Sequence, residues 1–145
     1  MMIRNLLLNK RIIVLSIILF AGLISCKKDD SNNPSAAAVL TTGSWKVTYY
    51  YDKIKDETSD YAGYVFVFQQ NNQLNITSSS GNANGSWSIS NSDDNGGSQK
   101  LNLFAGSNDP LNSLNDDWVI TAISNSKIEL KDDSNNNEEL HFTKL

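Results

Sequence analysis

The sequence predicts an all-β domain, an eight-stranded antiparallel up-and-down barrel preceded by a short helical turn. Three observations lead there. From Trp45 onward, runs of five to eight residues rich in Val, Ile, Tyr, Phe, Trp and Thr recur, many alternating with polar residues, and each ends in a cluster of Asn, Gly, Ser or Asp. Some connections are very short: Asn71-Asn72 and Asn125-Ser126 suit two-residue hairpins whose Asn tolerates a left-handed backbone, so successive strands are neighbours in space. The runs number eight, which closes a small barrel and removes the free edges that invite aggregation.

In chain order the expected strands are 44–51, 63–70, 73–78, 85–90, 100–104, 117–124, 127–131 and 138–144. Before them, residues 34–40 read as one or two helical turns able to plug a barrel end. Side chains alternate across a strand, so one set of residues faces inward. On the first strand that set is Trp45, Val47, Tyr49 and Tyr51, and on the second Tyr64, Phe66 and Phe68. Leu74, Ile76, Trp87, Ile89, Leu101, Leu103, Trp118, Ile120, Ile128, Leu130, Leu140 and Phe142 continue it around the wall. Lys46, Thr48, Asn75, Ser86, Ser88, Glu129 and His141 take the other face. The second and sixth strands are apolar on both faces, so their inward choice is open to a one-residue slip.

The N-terminus has a different character. Arg4, Lys10 and Arg11 precede an apolar run, 12–24, of about 13 residues, short of the roughly 20 that span a bilayer. A basic start, a short apolar stretch and small residues before the one cysteine describe a cleavable signal peptide over 1–25. Leu23-Ile24-Ser25-Cys26 resembles the lipobox of bacterial lipoproteins, which implies that Cys26 is acylated and becomes the mature N-terminus. Lys27-Lys28-Asp29-Asp30 resembles the export signal of surface lipoproteins of Bacteroidota. Residues 26–38, polar and broken by Pro34, are expected to form a flexible tether, with the barrel domain over 39–145. The membrane is thus an expected partner through the lipid on Cys26, and the expected location is the outer membrane, with exposure at the cell surface.

Charge narrows the partners further. Removing Arg4, Lys10 and Arg11 from the 12 basic residues leaves nine against 16 acidic, a net of about −7. Nucleic acid needs a basic face and is not expected. With Cys26 the one cysteine, a disulfide framework is excluded.

Gly43-Ser44-Trp45 at the start of the first strand, Gly63-Tyr64-Val65-Phe66-Val67-Phe68, Gly85-Ser86-Trp87, Trp118-Val119-Ile120 and the closing Leu140-His141-Phe142-Thr143-Lys144 resemble the lipocalin-like lipoproteins of Bacteroidota. The resemblance covers about residues 40–145. In lipocalins the first Trp packs at the closed end of the barrel under an arginine from near the last strand. Here no arginine follows Arg11, and Lys144 is the cation near enough in sequence to lie over Trp45, with Gly43 opening the strand.

Catalytic chemistry finds little to build on. His141 alternates outward and has no nucleophile paired with it in sequence, so no enzyme is expected. Asp93-Asp94, Asp116-Asp117, Asp132-Asp133 and Glu138-Glu139 fall in turns or at strand ends, as solvated acids do. The loops 91–97 and 132–138 are rich in oxygen ligands without the spacing of a calcium loop, so neither metal nor cofactor is expected. The resemblance implies a small apolar or amphipathic ligand held in the barrel, with Tyr49, Tyr51, Tyr64, Phe66, Phe68, Trp87 and Trp118 as its lining. Tyr49, Tyr51 and Trp118 are the ones expected to meet solvent, Tyr51 at an open mouth. The alternative is a solid barrel that acts as a surface interaction module.

Overall fold

The computed structural model describes residues 35–91, 98–134 and 137–145. Helix α1 (Ala36–Leu40) leads into β1 (Trp45–Asp52), whose tip turns back as the two-residue β2 (Lys55–Asp56). There follow β3 (Val65–Phe68), β4 (Gln73–Ser78), β5 (Gly81–Asn91), β6 (Gln99–Phe104), β7 (Asp116–Ile123), β8 (Lys127–Asp132) and β9 (Glu139–Lys144). Single 3-10 turns interrupt the chain at Thr58–Tyr61 and Leu111–Leu114.

Every neighbouring pair is antiparallel, and β9 returns to β1 over the register Trp45↔Lys144 to Tyr51↔Glu139. The eight main strands therefore close into an up-and-down barrel, with β2 appended to the end of β1. The seam between β1 and β3 rests on one pairing, Trp45↔Phe66, because the Thr58–Tyr61 turn fills the rest of the gap. There the Tyr50 amide donates to the Thr58 hydroxyl at 2.8 Å and the Glu57 amide to the Tyr50 carbonyl at 2.9 Å.

One turn differs from its expected form. The β3–β4 connection runs over four residues, 69–72, with Asn72 in the left-handed region at φ 66°, while in the β7–β8 connection, 124–126, the Ser124 amide donates to the Lys127 carbonyl at 2.8 Å across Asn125-Ser126.

The inward set agrees with alternation on most strands, including the two that were open to a slip. Phe66 and Phe68 point in with Val65 and Val67 outside, and Trp118 points in. On β1 the expectation fails. A bulge between Val47 and Tyr49 shifts the register against β9, so Tyr50 becomes the inward residue while Tyr49 and Tyr51 go to the outer wall. Three consecutive tyrosines offer no hydrophobic contrast by which to see that extra residue.

Both ends of the barrel are shut. At the end where β1 begins, α1 inserts Ala36, Val39 and Leu40; the Ser35 hydroxyl caps it by accepting from the Ala38 amide, and the Trp45 indole donates to the Leu40 carbonyl at 2.9 Å. Lys144 crosses above, its ammonium 5.0 Å from the Trp45 ring centroid and 2.8 Å from the Thr42 hydroxyl, and Gly43 makes the intervening bend at φ +89°.

The opposite end, expected to be an open mouth beside Tyr51, is closed by residues 105–115. Leaving β6, the backbone at Phe104 and Ala105 passes so close to β5 that a Cβ on Gly85 would stand 1.9 Å from the Phe104 carbonyl oxygen. Only a glycine leaves room for that crossing. Asn115 then pins the segment with two bonds, accepting from the Ala105 amide at 2.6 Å and donating to the Gly106 carbonyl at 2.7 Å. Leu111 and Leu114 are buried below it.

Candidate functional site

Inside the barrel the aromatic rings meet one another. Phe142 packs edge-on against Phe66 at 5.2 Å and Phe68 at 5.8 Å, and Phe68 against Trp87 at 5.7 Å. Tyr50 does the same with Tyr61 at 5.3 Å and Trp118 at 6.4 Å. Edge-to-face contacts at these distances are favourable pairings of ring quadrupoles. Trp45, Phe66, Trp118 and Phe142 have 0% of their surface exposed, which leaves no water-sized space beside them inside the barrel or outside it. Trp118, expected to meet solvent, belongs to this packed interior.

The polar tips of these buried aromatics are spent on backbone carbonyls, three of them in the segment that closes the far end. Tyr50 donates to the Ser113 carbonyl at 2.8 Å, Tyr61 to the Pro110 carbonyl at 2.9 Å, Trp118 to the Leu114 carbonyl at 3.0 Å and Trp87 to the Gln69 carbonyl at 3.0 Å. Burial, with Asp52 and Glu138 nearby, pushes the Tyr50 hydroxyl far above the usual phenol range. Burial does the same for Tyr61. Both hydroxyls are therefore neutral donors that hold the plug. Tyr50, Tyr61, Leu111 and Leu114 were not among the expected lining residues; the spacing of Leu111 and Leu114 by three was the one sequence trace of the plug.

The seven candidate lining residues thus divide. Phe66, Phe68, Trp87 and Trp118 share the interior, and Tyr64 is half-buried at its edge, beside a cleft of about 190 Å³ against Leu111 and the β4–β5 turn. Tyr49 and Tyr51 lie outside, nearly parallel to each other with centroids 6.4 Å apart, and Tyr49 packs on His141 at 4.9 Å. His141 faces outward, as expected, across from Glu129 on β8. Burial, and then Lys127, hold its pKa below the ordinary histidine value.

Two further features sit on the exterior. At the plugged end, ligand atoms of Asp116, Asp132 and Glu138 lie within 4.8 Å of one another, and the Lys53 ammonium, 2.9 Å from the Glu138 carboxylate, already supplies a cation there. Along the outer wall of β5, β6 and β7 runs a groove of about 370 Å³, bordered by Ser86, Ser88, Asn102, Phe104 and Asp117. The expected lipid site at Cys26, the tether up to Pro34 and loop residues 92–97 lie outside the described residues.

With this geometry in place, comparison with solved structures finds a protein of the same fold. It is a DUF4847 family protein from Bacteroides vulgatus ATCC 8482, 12% identical in sequence, superposing with a TM-score of 0.50 over 75% of this chain and 96% of its own. That likeness supports the barrel. No family model matches the sequence, and no match appears among characterised proteins.

Proposed function

We propose that this chain is a lipid-anchored, non-catalytic module of the cell envelope that acts through the outer surface of a solid barrel. The observation that carries this reading is the filled interior: Trp45, Phe66, Trp118 and Phe142 are fully enclosed by each other and by the two end closures. A small apolar ligand at the axis would have to displace packed rings or the hydrogen-bonded plug, and interiors packed at crystal-like density resist both.

The anchoring half rests on the signal-like N-terminus and Leu23-Ile24-Ser25-Cys26. Among the described residues α1 lies at the end of the barrel opposite the acidic, plugged one. Placement in the outer membrane, at the cell surface, extends the same reading from Lys28-Asp29-Asp30.

Native mass spectrometry of the protein purified from membranes tests both halves. The expected spectrum is a chain beginning at a diacylated or triacylated Cys26 with no further small molecule retained. An unmodified Cys26 contradicts the anchor, and one retained equivalent of an apolar molecule contradicts the solid barrel.

A further inference from the structure

We propose that the groove on the outer wall of β5, β6 and β7 binds a neutral saccharide, an inference that rests on the outer surface being the working part of the molecule. Register builds the site. Ser88 pairs with Asn102 and Asn102 with Asp117, setting a hydroxyl, a carboxamide and a carboxylate in one row across three strands, and Ser86 pairs with Phe104 in the next. The volume of about 370 Å³ falls within the roughly 300 to 1,000 Å³ of small-molecule sites.

Two features select the ligand class. Phe104 is 46% exposed at the end of a strand whose inward residues, Leu101 and Leu103, are buried. Its ring offers a flat apolar face to the C–H side of a sugar. Around it the polar groups both donate and accept, as a ligand dense in hydroxyls requires. The two amides are fixed by bonds within the protein, Asn102 Nδ2 donating to the Ser88 hydroxyl at 3.0 Å and the Ser90 hydroxyl at 3.2 Å and Asn72 Nδ2 to the Trp87 carbonyl at 2.9 Å, so donation to a sugar falls to the Ser86 and Ser88 hydroxyls and acceptance to the Asp117 carboxylate. Among the described residues no lysine borders the groove while Asp116 and Asp117 do, so phosphates and carboxylates are repelled. A cationic peptide would satisfy the two aspartates and leave the neutral row unused, which makes it the weaker fit.

The full chain, isotope-labelled and held in lipid nanodiscs, is titrated by NMR with neutral gluco-, galacto-, manno- and xylo-oligosaccharides, and separately with tetralysine. At least one neutral oligosaccharide is expected to shift the amides of Ser88, Asn102 and Asp117 saturably. Phe104→Ala is expected to weaken that binding about tenfold or more and Phe104→Tyr to stay within about threefold, as for an aromatic anchor, with thermal unfolding of both variants as in the wild type. The inference is overturned if no neutral saccharide moves these amides, if tetralysine moves them instead, or if Phe104→Ala binds as well as the wild type. None of those results bears on whether the interior is solid, which native mass spectrometry reads independently.

Discussion

The Tyr50 hydroxyl donates to the Ser113 carbonyl at 2.8 Å, joining the first strand of the barrel to the segment that shuts its far end. Tyr50→Phe keeps the ring and removes the donor, leaving a carbonyl without its partner in a water-poor place. The expected loss is about 1 to 3 kcal/mol in denaturant unfolding, the cost of an unmet buried polar group. A loss below about 0.5 kcal/mol, the range of ordinary surface changes, would mean that the bond does not hold the plug.

Gly85→Ala tests the crossing that starts the plug. The added methyl would meet the Phe104 carbonyl oxygen at 1.9 Å, and backbone rather than a flexible side chain must yield. Overpacking of this kind costs about 1 to 3 kcal/mol or more. Ser86→Ala, on the outer wall one residue away, is the control and is expected to unfold like the wild type.

At the other end, Trp45→Ala is expected to cost about 3 to 5 kcal/mol as a fully buried aromatic. It also frees the Leu40 carbonyl and the surface under Lys144. A cost under about 1 kcal/mol would mean that the α1 end is not built on this indole.

These sites show how far the sequence could be read. Barrel class, strand count and most of the inward set follow from alternation, since Phe66, Leu74, Trp87, Leu101, Trp118, Ile128, Leu140 and Phe142 each stand out against polar neighbours or obey the same two-residue period. The bulge in β1 was illegible because Tyr49, Tyr50 and Tyr51 are identical, and only the pairing of β9 decides which one turns in. The plug was hidden for a different reason. Its residues 106–115 are mostly Gly, Ser, Asn and Asp, a loop by composition, and much of its hold on the barrel comes from two tyrosine tips far away in sequence. The outer groove was likewise visible only as polar residues on an outward face, until register placed Ser88, Asn102 and Asp117 in one row.

His141 gives a test by pH. Burial first, then Lys127, lowers its pKa from 6.5 against the opposing pull of Glu129 and Glu139. A histidine depressed in the folded state takes up its proton more readily when unfolded. The stability it contributes is therefore present above about 6.5 and lost as pH falls through the folded value. Its ring-proton NMR titration is expected to have a midpoint below 6.5, and His141→Gln to flatten the stability profile just below that pH. A midpoint above 6.5 would mean that Glu129 and Glu139, not burial, dominate at His141.

The most direct test of a solid barrel is titration of the folded protein with a fluorescent fatty acid while tryptophan emission is followed. Trp45, Trp87 and Trp118 are spaced through the interior, so any ligand at the axis lies near at least one of them. No saturable binding and no quenching at micromolar probe is the predicted result. Saturable binding of one probe per chain that quenches tryptophan and carries a negative heat-capacity change, the mark of apolar burial, would contradict it.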